Sequence, residues 1–201
     1  MVFNACINDG IVAFGDARSC FEALRPVRRV ADAADAFLEA HVEDAPFIGL
    51  HVRHGNGGDI MGHAFSWQAF GTAMMRIRRA VDVARERLGK QALVLLCTDS
   101  SDVQSEITRT IPGVICRPKP YRPPGHGELH HGPDAAARLD DALIEMVLLA
   151  RCNALVRYPA ASFFSLYAAV MKPTEDPHPV DLLSLARPSN SQDRLSPAVL
   201  F

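Results

Sequence analysis

Ala92-Leu93-Val94-Leu95-Leu96-Cys97-Thr98-Asp99-Ser100 is an unbroken apolar run that ends on three polar residues. A strand with one solvated face alternates apolar and polar side chains. A run that is apolar at every position is what a strand buried on both faces of a parallel sheet requires. The polar end marks the carboxyl edge of that sheet, where Asp99 or Ser100 can cap the next helix, to about residue 110.

Reading outward, Pro46-Phe47-Ile48-Gly49-Leu50-His51-Val52-Arg53 is a second short strand that stops at glycines. Between the two strands, Ser66 can cap a long helix through Met74, Ile77, Val81 and Ala84, and Gly89 is placed to end it. Upstream, Pro26 suits the first turn of a helix that carries Val30, Ala33, Ala34, Phe37 and Leu38 at helical spacing, to about residue 41. Downstream, residues 113–116 form a short strand and the Pro/Gly/His-rich stretch 118–133 a loop. An apolar helix over 139–150, a strand over 154–156, a helix over 162–171 and a last strand over 180–183 complete the chain. This β-α alternation predicts an α/β fold, a three-layer sandwich with a parallel sheet and right-handed crossovers. Ligands in such sheets bind beyond the carboxyl ends of the strands, where residues 51–59, Asp99 and residues 158–162 converge.

A chain of 201 residues supports one sizeable core. The expected organisation is a linker or remnant over 1–24, a folded domain over 25–185 and a frayed tail over 186–201. With 21 basic against 23 acidic residues and no long single-sign run, the chain lacks the bulk charge for nonspecific nucleic-acid binding, so any anion site is local. Five scattered cysteines without C-x-x-C spacing read as reduced, mostly buried thiols of a cytoplasmic protein. The N-terminus has no basic n-region, and Asp9 interrupts its apolar stretch, so no signal peptide is expected. No apolar run approaches the roughly 18 residues of a membrane span.

The most specific segment is His51-Val52-Arg53-His54-Gly55-Asn56-Gly57-Gly58-Asp59, a basic strand end running into a glycine-rich loop closed by an acid. His51 and Arg53, two apart on a strand, share one face and can meet one ligand. Arg53 offers a planar fork for phosphate oxygens, and the glycines allow close backbone approach, so the segment points to a diphosphate and hence a nucleotide-sugar enzyme. A glycine-rich turn with a surface arginine is the plain alternative. Asp59 could accept a proton from an attacking hydroxyl, with His63 assisting or replacing it; each could equally cap a loop or enter a helix.

Glu145 interrupts an otherwise apolar helix face, Ala142-Leu143-Ile144-Glu145-Met146-Val147-Leu148-Leu149, and a carboxylate there needs partners. It could accept the adjacent N1–H and amino N–H donors of guanine, or form a salt bridge to Arg138 or Arg151, or be exposed. Asp99 reaches the same cleft or serves as an N-cap. Pro159-Ala160-Ala161-Ser162 follows a strand and precedes a helix, so its N–H groups and the Ser162 hydroxyl could hold phosphate or base, or cap the helix. His126-Gly127-Glu128-Leu129-His130-His131 has metal-binding residue types but lies in a Pro/Gly-rich loop without a second ligand cluster, which favours a mobile lid over a zinc site.

Three stretches carry a resemblance. I-G-L-H-V-R-H-G-N-G-G-D-I-M-G-H at residues 48–63 resembles the first motif of the NodZ-type α-1,6-fucosyltransferases, and Leu96-Cys97-Thr98-Asp99-Ser100 resembles the second. Ala142-Leu143-Ile144-Glu145-Met146-Val147-Leu148-Leu149-Ala150-Arg151-Cys152, followed by Arg157-Tyr158-Pro159 and Ser162, resembles the third, and the similarity runs from about residue 21 to residue 173. It implies the Rossmann-like C-terminal half of a GT-B glycosyltransferase. That half would bind GDP-fucose and transfer fucose, with inversion and without a metal or other cofactor, to the 6-hydroxyl of an N-acetylglucosamine in an oligosaccharide.

By motif position Arg53 would hold the β-phosphate, His51 and the backbone of Gly55, Asn56 and Gly57 would line the pyrophosphate, and Asp99 would lie in the donor cleft. Glu145 would meet guanine, where the family usually has aspartate. Gly58 stands where the family often has an acid, which leaves Asp59 as the nearer aid to proton removal, and His130 matches a family histidine in the loop before the third motif. Family members carry an N-terminal domain that shapes the acceptor side. The expectation is therefore a donor-binding half alone: a truncated product, a mis-set start, or a fragment that pairs with another chain. A non-catalytic GDP or nucleotide-sugar-binding module is the alternative.

Overall fold

The computed structural model describes residues 25–54, 67–121, 123, 135–158, 162–171 and 181–184. Their elements are α1 (Arg28–His41), β1 (Phe47–Val52), α2 (Trp67–Leu88), β2 (Leu93–Thr98), α3 (Ser101–Thr110), β3 (Val114–Cys116), α4 (Ala135–Ala150), β4 (Ala154–Tyr158), α5 (Phe163–Val170) and β5 (Asp181–Ser184). The five strands form one sheet in the order β3-β2-β1-β4-β5, and every neighbouring pair is parallel. The expected α/β class and parallel sheet are borne out.

Strand order places the site. From β1 the chain steps outward to β2 and β3, then returns across β1 to add β4 and β5 on the other side. The direction of winding therefore reverses between β1 and β4. At such a reversal the loops leaving adjacent strands part to opposite faces, and a crevice opens at their carboxyl ends.

Burial explains why the central strands read as continuous apolar runs. All six positions of β1 and all five of β4 are buried, as are the last five of β2, whereas the edge strand β3 is only partly covered. On one face, Ile77, Val81 and Ala84 of α2 and Val103 and Ile107 of α3 pack on Ile48, Leu50, Val52, Val94, Leu96 and Val156. On the other, Val30, Ala34 and Phe37 of α1 and Val147, Leu148 and Leu149 of α4 pack on Phe47, Leu95, Cys97 and Leu155. Each fully buried aliphatic side chain contributes about 1.5–3 kcal/mol relative to an exposed one. Gly49 lets α4 approach the sheet: a Cβ there would stand 2.9 Å from both Cys152 Sγ and Leu149 Cδ2. Cys97 and Cys152 are buried cysteines outside any disulfide, and Cys116 is a partly buried one.

Several element ends differ from the sequence reading. Pro26 precedes the N-cap Val27 instead of sitting within the first turn. Helix α4 begins at Ala135, four residues before the expected 139, because Ala135, Ala136 and Ala137 favour helix without marking a hydrophobic face. Strand β4 continues through Arg157 and Tyr158, although a charge in the sequence reads as the end of a strand. The cap of α3 is Ser100, whose hydroxyl accepts from the Val103 N–H, and not Asp99. Gly89 ends α2 at φ 112°. Ser66 and most of the 118–133 loop lie outside the described residues.

Candidate functional site

At the carboxyl end of β1 the chain leaves the sheet through Arg53 and His54. The Arg53 N–H donates to the Tyr158 carbonyl at 2.8 Å, which extends the β1-β4 ladder to the lip of the crevice. Asp99, at the end of β2, grips both departing residues. One carboxylate oxygen accepts the His54 N–H at 2.8 Å, and the other lies 3.3 Å from Arg53 Nε. Asp99 is thus a brace between adjacent strand ends, which answers the choice between cap and cleft residue.

His51 lies two residues before Arg53 and is buried, with its ring 5.1 Å from that of Phe164 at the start of α5. Burial, and then the positive charges of Arg53, Lys119 and Arg157, hold its pKa down at about 3. It is a neutral imidazole at physiological pH. Its Nδ1 has no hydrogen-bond partner among the described residues.

Glu145 proves to be buried, so the expectation that it needs a partner holds. The partner is Lys119, whose Nζ donates to both carboxylate oxygens at 2.6 and 2.7 Å; the two side chains are 5% and 7% exposed. The expected partners are otherwise placed. Arg151 pairs with Asp35 of α1, and Arg138 lines the crevice. Burial still raises the Glu145 pKa above the usual carboxylate value, against the opposing charge and hydrogen bonds of Lys119. Lys119 belongs to the segment after β3, which Arg117 also ties to α4 through Asp141. That segment forms a wall of the crevice. Its signal in the sequence is the basic, proline-punctuated run Arg117-Pro118-Lys119-Pro120 directly after a strand, which by composition reads only as the start of a loop.

His51, Arg53, Asp99 and Glu145 therefore line one cleft, together with Lys119 and Phe164. Ser162 is the partly exposed N-cap residue of α5, without a side-chain capping bond, and does not line that cleft. Gly55, Asn56, Gly57, Asp59, His63 and His130, with the whole histidine-rich stretch 126–131, lie outside the described residues. Among the described residues no group of three or more His, Cys, Asp or Glu could hold a metal, and no helix is long and apolar enough to cross a membrane. Chemically, the cleft offers a braced guanidinium and a neutral imidazole near one end and a buried carboxylate-ammonium pair in its wall. Such an arrangement can hold an anion beside a polar, planar group.

The family model described as "Nodulation protein Z (NodZ)" matches residues 3–187. The chain belongs to the NodZ family. The resemblance carried by the three motifs is thereby borne out. Nodulation protein Z of Bradyrhizobium diazoefficiens is 40% identical over 157 residues, which are 78% of this chain and 42% of that protein. The crystal structure of the fucosyltransferase NodZ from Bradyrhizobium superposes with a TM-score of 0.61 at 25% identity, covering 86% of this chain and 49% of the other. A NodZ α-1,6-fucosyltransferase crystal soaked with GDP-fucose superposes with a TM-score of 0.60 at the same identity and coverage. The chain thus spans about half or less of the length of these NodZ relatives. Its α/β sheet is the Rossmann-like, GT-B-type fold expected for one half of such an enzyme.

Proposed function

We propose that this chain forms the donor-binding, C-terminal half of an α-1,6-fucosyltransferase. In this reading it binds GDP-fucose and supports inverting, metal-independent transfer of fucose to an N-acetylglucosamine of an oligosaccharide. The single observation that carries the reading is the braced Arg53 at the β1-β4 reversal, in a chain that superposes on a NodZ α-1,6-fucosyltransferase soaked with GDP-fucose. As the bond from the sugar to the β-phosphate oxygen breaks, negative charge builds on the departing GDP. A fixed guanidinium there stabilises the transition state more than the ground state. Asp99 holds Arg53 by its Nε edge, which orients the fork in advance of binding.

The remaining roles belong to the same proposal. His51, with the backbone of Gly55, Asn56 and Gly57, lines the pyrophosphate, and Glu145 with its Lys119 partner faces the guanine. His130 contributes to donor binding, and Ser162, which starts α5 outside the cleft lining, does so only by reaching in from its edge. Asp59, with His63 assisting or replacing it, takes the proton of the acceptor hydroxyl as its oxygen attacks the sugar carbon. Residues 25–185 form the donor domain, residues 1–24 lead into it and residues 186–201 trail from it. The acceptor side of the cleft is supplied from outside these 201 residues, and the protein acts in the cytoplasm.

Calorimetry tests the donor site. GDP should bind, and Arg53→Ala should weaken it at least tenfold, or about 1.4 kcal/mol. Equal affinity within error refutes the assignment. Transfer of radiolabelled fucose from GDP-fucose to N-acetylglucosamine oligomers, measured with a chelator present, tests the reaction. GDP binding without transfer, even with the acceptor half supplied, would identify a binding module instead.

A further inference from the structure

The charges around the cleft do not pair off evenly. Arg53 faces Asp99, Lys119 faces Glu145 and Arg117 faces Asp141. Arg157 of β4 is different. It is 5% exposed, its Nε is sealed from solvent without a hydrogen-bond partner, and no ion pair engages it among the described residues. Burial alone acts on its pKa, lowering it, as expected for a guanidinium with no carboxylate near enough to compensate.

Its position gives the unpaired charge a purpose. In the sheet His51 lies between Cys97 of β2 and Arg157 of β4 in register, so the three occupy one row near the carboxyl edge. Cys97 packs with α1, α4 and α5, so Arg157 and His51 face that same side of the sheet. His51 lines the cleft and feels the charge of Arg157, and its Nδ1 also lacks a partner among the described residues. Two neighbouring buried side chains thus carry unsatisfied polar atoms at the strand reversal: His51 lines the proposed donor site, and Arg157 stands beside it in register on the adjoining strand. A buried cation left without a partner opposes folding, because its lost hydration is not replaced. It is tolerated where a ligand brings the missing anion, and a diphosphate brings more negative charge than one arginine can meet.

We propose that Arg157 is a second phosphate-binding cation of this site, whose counter-charge is supplied by the diphosphate of the bound nucleotide. The identity of the nucleotide rests on the donor reading above; the anion site does not. In this arrangement Arg53 meets one phosphate at the lip, while Arg157 and the neutral His51 meet the other deeper along the β1-β4 seam.

The test uses the full chain with inorganic pyrophosphate and GDP as separate probes, followed by calorimetry and thermal melting. Arg157→Met is expected to melt at or above the wild-type temperature without ligand, because it removes an uncompensated buried charge. It should nevertheless bind both probes at least tenfold more weakly. Pyrophosphate affinity within twofold of wild type overturns the proposal, as does a wild-type chain that does not bind pyrophosphate. A wild-type chain that binds pyrophosphate but not GDP, with the pyrophosphate binding weakened at least tenfold in Arg157→Met, overturns the donor reading and supports the anion site. Should Arg157→Met not fold, Arg157→Lys keeps the charge but loses the planar fork. At least threefold weaker pyrophosphate binding supports the proposal, and unchanged affinity overturns it.

Discussion

Replacing Lys119 by Met removes the partner of a carboxylate that remains buried. Both side chains are almost wholly enclosed, at 5% and 7% exposure, so solvent screening does little to soften the loss. Breaking such a pair from one side costs about 3–5 kcal/mol, a large share of the roughly 5–15 kcal/mol that holds a domain together. At about 2–4 °C per kcal/mol for a chain of this size, the melting temperature should fall by roughly 6–20 °C. The loss depends on pH in a defined direction. Burial already raises the Glu145 pKa, and Lys119 is the main influence opposing that rise. In Lys119→Met the folded-state pKa moves higher still, so the folded state binds more protons than the unfolded state above the ordinary carboxylate pKa, and stability falls as pH rises. The variant should approach wild type below that value and diverge from it as pH increases through the raised folded pKa. Removing Lys119 also relieves His51, whose pKa Lys119 helps to lower, and this favours the variant at acid pH in the same sense. Urea unfolding at pH 4.5 and pH 7.5 measures the effect. The double variant Lys119→Met/Glu145→Leu, which leaves no buried charge, should recover most of the loss or exceed wild type. A single variant as stable as wild type at pH 7.5, or a double variant no better than the single, would show that the pair does not carry this energy.

His51 should resist protonation. Its imidazole NMR signals should show no titration between pH 5 and 8. Since its folded pKa of about 3 lies below the unfolded value near 6.5, stability should decline as pH falls across that window, and His51→Gln should flatten the decline in acid unfolding curves. Gly49→Ala forces a Cβ to within 2.9 Å of Leu149 and Cys152 and should cost about 1–3 kcal/mol in denaturant melts, with Gly71→Ala, where a Cβ meets nothing within 4 Å, as the benign comparison. Ser100→Ala should cost about 0.5–2 kcal/mol by loss of the α3 cap, whereas Asp99→Asn should leave stability nearer to wild type and weaken GDP binding by loosening Arg53; a larger effect of Asp99→Asn on stability would reverse these roles.

Much of this arrangement is legible without coordinates. The apolar run at residues 92–97 and the glycine-stopped strand before Arg53 announce buried parallel strands, because a strand covered on both faces has no solvent side to encode. His51, Arg53, Asp99 and Glu145 are each recognisable as polar residues at the end of, or within, an apolar element, and all four line one cleft. Less legible are the ends of elements. Arg157 resembles the close of a strand because a charge usually marks solvent, yet it is buried inside β4.

Residues adjacent along the chain suffice for the order and kind of the elements, the family, and the polar residues that interrupt apolar runs, because periodicity and motif are local properties. Partnership comes from the fold. Glu145 could have taken several cations, and the choice fell on Lys119, 26 residues away, because the segment after β3 lies across α4. Asp99 braces His54 from 45 residues away, and Arg53 beside it, because β1 and β2 are neighbours in the sheet. Arg157 stands beside His51 because the strand order reverses at β1. Electrostatic interaction falls with distance through space, and the fold alone sets that distance.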